Sequence, residues 1–519
     1  MIHYYIYMNM KDIDLIHISS GIICPSMKKE IKKICSLLYK EKIFIVSSFD
    51  NEGAISYPAC LPEVIGVQFS LKCKKINDYI VLNNSNINIL GFGGKQLLPW
   101  KDGNYKNVSG SSFASPYITI KILDLLNLNY QFEDIFKQLK KDAINIMEFE
   151  IESIEQNANI DYINDAAIFP LNKETIVLLE NKDLLDFNIK YIFDVNNYYN
   201  ERTVNNKRIL GAFKLFNINQ ISKYNDFDTL IVGRLDKINQ IFNYDYTKYL
   251  LDYCYVNRKN IYCFDDLKKY NDLVKRNILS GLNVFSSNEL YKNFNVIDNN
   301  LGSLNVLSIP TVAICGTSPR QGKFTLQLGL RRELKKSGYK FSQFGTEPSS
   351  YLFGFDKMFP SGYGIDLNGN IYKQILTYNK LLSSIEKDSE IMILGTQSQT
   401  IPYSFNNLNF LSFEQESLLI ASQPDLIYLV INSNDDINFI KRTILYLENY
   451  LNSYVGALIL YPYQKNSDWV IFDKEEKSLS DIEIEIVKEK LYKRLGKPIL
   501  INGKFESIYN HMIEYFCER

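Results

Sequence analysis

The residues with the clearest chemical potential lie between Gly316 and Thr325, in the run Gly-Thr-Ser-Pro-Arg-Gln-Gly-Lys-Phe-Thr. Glycines let backbone N–H groups approach phosphate oxygens, a following helix N-terminus adds positive potential, and a lysine neutralises the outer phosphates. Gly316, Thr317, Gly322, Lys323, Phe324 and Thr325 are therefore the candidate nucleotide-binding residues, with the Thr325 hydroxyl able to ligate or orient Mg²⁺. The spacing departs from the commonest phosphate loop, which has four residues between the glycines and Ser or Thr directly after the lysine. Here residues 317–321 separate the glycines, and Phe324 stands between Lys323 and Thr325.

Such a loop needs a rigid mount. The β-branched and apolar run at 311–315 predicts a buried strand. Leu326, Leu328 and Leu330 begin a helix that runs to about Lys336 and closes at Ser337-Gly338. Further strands are expected at 340–344, 389–394, 426–431 and 455–460, with closing helices at 483–495 and 505–516. Gly345-Thr346-Glu347 follows one of these strands, and Gly395-Thr396-Gln397-Ser398 follows another. Asn432-Ser433-Asn434 either borders a nucleotide base or makes an ordinary turn. Residues 301–519 thus read as a P-loop parallel-sheet domain.

The totals set wider bounds. A chain of 519 residues is too long for one core. Lys+Arg and Asp+Glu number 58 and 59, so no global field favours nucleic acid or an anionic membrane. The eight cysteines form no C-x-x-C pair, which argues against a zinc site or disulfide framework. No apolar run reaches 18 residues and no signal-peptide pattern opens the chain, so a cytoplasmic protein is expected. Residues 141–160 read as a helical linker. Residues 161–300 read as a small Rossmann-like α/β domain, with strands expected at 175–178, 189–193, 208–212 and 229–232 and a helix at 246–257. No G-x-G-x-x-G occurs there, and a docking or dimerisation role is the main expectation.

The run G-T-x5-G-K-x-T resembles the dethiobiotin-synthetase-like P-loop proteins, and most closely the family that includes D-glutamate N-acetyltransferase. That resemblance implies ATP, or the pyrophosphate of a coenzyme A-type ligand. In dethiobiotin-synthetase-like enzymes an acidic residue commonly ends the strand that Leu394 ends here. Any metal carboxylate must then come from Glu347 or Asp356.

Residues 1–140 carry a second resemblance. Gly110-Ser111-Ser112-Phe113-Ala114-Ser115-Pro116 is similar to the segment that bears the nucleophile in subtilisin-family serine proteases, with Ser112 at the nucleophile's place. Asn51 matches the family's oxyanion-hole amide, and Ser19-Ser20-Gly21 matches a strand end that lines the substrate channel. The resemblance covers only the C-terminal half of that fold. The family's Asp and His come from segments that would precede it. Of the three histidines, His17 lies on a strand and reads as a strand residue, while His3 and His511 lack the family's context. Three explanations compete: the missing half is a separate chain, the domain is a peptide-binding relic, or the reading frame begins too late; a split or truncated protease is slightly favoured over gradual decay. A half-domain would also expose a sheet edge and a core face. The combination resembles proteins of clostridial peptide-maturation systems. It implies a maturation factor that binds a nucleotide and handles a peptide substrate. A serine endopeptidase with an accessory domain, or a non-enzymatic scaffold, are the alternatives.

Overall fold

The computed structural model describes residues 13–23, 28–51, 55–83, 85, 87–148, 160–195, 215–286, 304–359, 371–403, 405–406, 413–464 and 477–517. The expected strand at 208–212 and His3 lie outside them. The chain is mixed α/β and divides into two compact units, one of residues 1–153 with 297–306, the other of 154–296 with 307–519. Among the described residues no helix is long and apolar enough to cross a membrane.

The first unit is built on a six-stranded sheet of order β1-β2-β3-β5-β4-β8. Its strands are β1 (Leu15–Ile18), β2 (Phe44–Ser48), β3 (Ile65–Phe69), β4 (Tyr79–Asn83), β5 (Ile89–Gly91) and β8 (Asn145–Glu148). Within this sheet only the β4–β5 pair is antiparallel; β6 (Gln96–Pro99) and β7 (Tyr105–Val108) form a separate antiparallel pair. Helix α1 (Lys28–Lys40) lies between β1 and β2 in the chain. Helix α2 (Ser111–Asn127) begins at the Ser-Ser pair and continues through Pro116. Pro116 is the sixth residue of this helix, past the first turn, so the helix forgoes the bond its N–H would make to the Ser112 carbonyl. Next come α3 (Phe132–Asp142) and then β8. The helical linker is corrected at this point: residues 145–148 pair in parallel with β4. An amphipathic charged pattern does not reveal that an open sheet edge lies within reach.

The second unit holds two parallel sheets. One has order β11-β10-β9-β12-β13-β14, formed by β9 (Asp165–Phe169), β10 (Asn188–Asp194), β11 (Leu215–Asn217), β12 (Thr229–Val232), β13 (Asn260–Cys263) and β14 (Val284–Ser286). With β9 in the middle and succeeding strands added on either side, this is the order of a doubly wound sheet. The strand expected at 175–178 is instead part of α4 (Lys173–Glu180). A short apolar run does not distinguish helix from strand. Here Asn172 decides: its Oδ1 accepts from Thr175 N at 3.0 Å, while Asn172 N donates to Thr175 Oγ1 at 2.9 Å.

The other sheet has order β17-β16-β18-β15-β19-β20-β23. Its members are β15 (Thr311–Gly316), β16 (Phe341–Gly345), β17 (Lys357–Met358), β18 (Ile391–Gly395), β19 (Leu426–Ile431), β20 (Tyr454–Leu460) and β23 (Ile499–Ile501). A separate pair, β21 (Tyr463–Gln464) and β22 (Lys477–Ser478), is antiparallel. Strands β15, β18 and β19 are buried at every position, as expected of parallel strands covered on both faces. Helix α5 (Lys323–Lys336) follows β15 and closes the glycine-bounded loop of residues 317–322. Its Leu328, together with Leu352, Phe353 and Phe355, packs into the same apolar cluster as Ile168, Ile192, Tyr262 and Phe264 of the neighbouring sheet. Arg332 grips Asp183 with two bonds of 2.6 and 2.7 Å, and Tyr262 donates to the Pro348 carbonyl at 2.9 Å. The two sheets of this unit therefore share a core.

Candidate functional site

Strand β15 lies between β18 and β19, so the chain leaves it at the point where the sheet's connections diverge to opposite faces. Crevices form at such points outside the carboxyl ends of parallel strands. A cavity of about 440 Å³ opens there. Residues 319–325 form one wall, Thr346, Glu347, Thr396, Gln397 and Ser398 another, and Tyr461 a third. The segments after three separate strands thus meet around the loop that the sequence singles out.

The loop is held from several sides. Lys323 is 7% exposed, and its ammonium donates to the carbonyls of Ser318 at 2.9 Å and Ser398 at 2.8 Å. Gln321 is fully buried. Its Oε1 accepts from Ser318 N at 2.9 Å and its Nε2 donates to Thr317 Oγ1 at 2.7 Å. Thr317 in turn donates to Asp435, whose carboxylate also accepts from Asn432 N at 2.8 Å. Asn432 Nδ2 reaches Ser318 Oγ at 3.1 Å. The segment after β19 therefore braces the loop; sequence reasoning named Asn432 but missed Asp435, three residues on. It also missed Asn502, whose Nδ2 donates to the carbonyls of Gln321 and Gly322 at 3.2 and 3.1 Å. Buried side-chain amides at strand ends carry no spacing signal, and only the fold gathers them.

Gly322 takes φ +74°, and an added Cβ would lie 2.7 Å from Asn502 Nδ2 and 3.3 Å from the Tyr461 ring. The Gly322→Ala variant is expected to lose about 2 kcal/mol, from left-handed strain of about 1–2 kcal/mol plus a weakened Asn502 bond. Chemical denaturation checks it.

Phe324 accounts for the residue inserted between lysine and threonine. Its ring packs against Phe353 and Phe355, with centroids 5.8 and 5.7 Å away. Thr325 and Glu347 both line the cavity, whereas Asp356 does not. The Asp356 carboxylate instead accepts from Gln343 N at 2.8 Å, and burial raises its pKa. Among the described residues no three His, Cys, Asp or Glu side chains form a metal cluster. The remaining donor set, a hydroxyl and a carboxylate, is hard and sparse. It suits Mg²⁺, which keeps several waters and takes phosphate oxygens as further ligands. Glu174, Val177 and Glu180 of α4 also line the cavity, although their segment reads as a separate domain. Gln327 lines it too; its buried Oε1 has no hydrogen-bond partner. Cys315, directly before the loop, is fully buried, and burial pushes its thiol up to about 12, so it is no nucleophile.

In the first unit the predicted residues also gather. Ser112, in the first turn of α2, donates to the Ser19 carbonyl at 2.8 Å. Asn51 Oδ1 accepts from Ser111 N at 2.7 Å and so caps that turn. Gly21 follows within the same strand exit, where an added Cβ would lie 2.8 Å from Ser56 Cβ. Ser20 is exposed beside it. His17 lies on β1 as expected, between Thr119 Oγ1 and Ser19 Oγ, each 2.7 Å from a ring nitrogen. His511 lies in the other unit, bonded to Tyr428 at 2.9 Å.

No protein-family model matches the chain, and no curated protein matches it. Among solved structures, a DUF1611 family protein from Anabaena variabilis is similar over 68% of this chain and 99% of its own, at 14% identity and a TM-score of 0.46. Chloroplast FtsY from Physcomitrella patens is similar over 44% of this chain and 67% of its own, at 14% identity and a TM-score of 0.24. A GTPase in apo form from Pyrococcus abyssi is similar over 41% of this chain and 99% of its own, at 17% identity and a TM-score of 0.25. Likeness at these levels carries no argument about function, which rests on the site itself.

Proposed function

We propose that the second unit binds the polyphosphate of a nucleotide or nucleotide-like cofactor, ATP or a coenzyme A-type ligand, in the cavity above β15. The observation that carries this reading is the buried Lys323 ammonium, held by two backbone carbonyls at a glycine-bounded loop that opens a helix. An incoming phosphate would draw that ammonium from the carbonyls, while the N–H groups of residues 320–323 wrap the oxygens; Thr317 N and Ser318 N are bonded to the Val430 carbonyl and Gln321 Oε1, and Pro319 has no N–H. Thr325 and Glu347 would hold Mg²⁺, which when bound screens the phosphate charge. Thermal denaturation with Mg·ATP, Mg·GTP and coenzyme A tests the reading. A ligand present at 100 times its Kd adds about 2.7 kcal/mol, a rise of several degrees. If none of the three protects the protein, the polyphosphate reading fails and a non-enzymatic scaffold is favoured.

A second reading concerns the first unit: it handles a peptide, as part of a maturation system. The meeting of Ser112, Asn51 and Ser19 favours it. A separate chain supplying the Asp and His of a protease would need a face to pack on. Ile120 and Leu123 on α2 are 52% and 42% exposed and suit such a face.

A further inference from the structure

We propose that the reacting hydroxyl of the first unit is Ser19, with His17 of the same chain as its general base and Thr119 as the residue that orients the imidazole. This goes beyond the reading above, in which Ser112 waits for a base from elsewhere.

The argument starts from proton positions. Thr119 Oγ1 donates its one proton to the Ser115 carbonyl, one turn earlier on α2, at 3.1 Å. Thr119 can then only accept from His17 Nδ1, which lies 2.7 Å away. Nδ1 therefore carries the ring proton, and Nε2 keeps its lone pair. That lone pair faces Ser19 Oγ at 2.7 Å, so the Ser19 hydroxyl donates to it. A nucleophile, a base and an orienting group stand in line, each within hydrogen-bond reach of the next. Burial also lowers the pKa of His17, which favours the neutral imidazole that a base must be.

Ser112 is placed differently. Its hydroxyl donates to the Ser19 carbonyl at 2.8 Å. That bond commits its proton to a carbonyl oxygen and fixes the strand exit that presents Ser19. Ser19 itself is exposed to solvent. The first turn of α2 lies beside it, and the positive end of a helix favours negative charge that develops on an attacked carbonyl oxygen.

The step balances as follows. The Ser19 hydroxyl gives its proton to His17 Nε2 as its oxygen forms a bond to an acyl carbon. The carbonyl π pair moves onto the acyl oxygen. When that pair returns, the bond to the leaving group breaks, and the leaving oxygen takes the proton from His17. Water then attacks acyl-Ser19 by the same route and releases the acid. A hydroxyl, not a carboxylate, orients the ring, so the transient imidazolium gains no ion pair. That limits the substrate class to esters, whose leaving groups depart more readily than amines.

The test uses the full chain, a biotinylated fluorophosphonate and p-nitrophenyl acetate. The phosphonate should attach to the peptide that contains Ser19, with fluoride leaving. Ser19→Ala should lose labelling and ester hydrolysis by about 100-fold, with an unchanged circular-dichroism spectrum, since the side chain is exposed. His17→Gln should lower the labelling rate by a similar factor. A label on Ser112, no label on any serine, or undiminished labelling of Ser19→Ala would each overturn the proposal.

Discussion

Lys323→Ala should abolish the thermal protection given by whichever phosphate ligand protects the wild-type protein. Lys323 supplies a full positive charge at the cavity wall, and a hydrogen bond to a charged group contributes about 1.5–3 kcal/mol. Its loss, with the screening of the outer phosphates, weakens affinity by roughly 100-fold or more. The unliganded variant should also be less stable by about 1–3 kcal/mol, because the Ser318 and Ser398 carbonyls lose their shared donor. The two effects separate cleanly in experiment. The first appears as a lost response to ligand, the second as a lower starting temperature with an unchanged circular-dichroism spectrum. Equal protection of variant and wild type would refute the assignment of the loop.

Gly66→Ala should unfold the first unit more readily than any other single-methyl change discussed. Gly66 sits inside β3, and a Cβ there would overlap the carbonyl oxygen of Ala59 and the ring of Phe49. The nearest obstacle is backbone, so no side-chain rotation relieves it. Ala59 belongs to a buried segment with Tyr57, Cys60 and Leu61. Tyr57 exchanges two backbone bonds of 2.9 Å with Ile22, which ties that segment to the strand exit bearing Ser19 and Gly21. Displacing it should cost about 3 kcal/mol, at the upper end for overpacking. The expected result is a fall on the order of 10 °C in the first unit's unfolding transition. Fluorophosphonate labelling should fall with it. A variant with wild-type thermal behaviour would show that Ala59 and β3 have room that their packing denies.

Much of the site was legible because its chemistry is local. The residues 316–325 are contiguous, and the strand and helix that flank them carry the two commonest periodicities. The Gly-Thr segments after two further strands are short and repeat one pattern, and they do line the cavity. Asp356 shows the limit of this reasoning. It is acidic and close in sequence to Glu347, yet its carboxylate turns to the backbone of β16. The same limit explains residues 175–178, where a capping box outweighed an apolar run, and residues 145–148, where an open sheet edge outweighed a charged amphipathic one.

His17 is the most instructive case. As a lone histidine in a strand it reads as bland, because nothing nearby in sequence except Ser19 could engage it. Its second partner, Thr119, lies 102 residues further on.

By itself the sequence determined the elements whose causes are local: the buried strands of β-branched residues, the glycine-bounded loop, and the lysine and threonine at its helical end. Only the tertiary structure decided which distant polar groups face one another, since hydrogen bonds are set by position in space. Asp435 and Asn502 came to brace the loop, α4 to wall the cavity, and Thr119 to meet the ring of His17 for that reason alone.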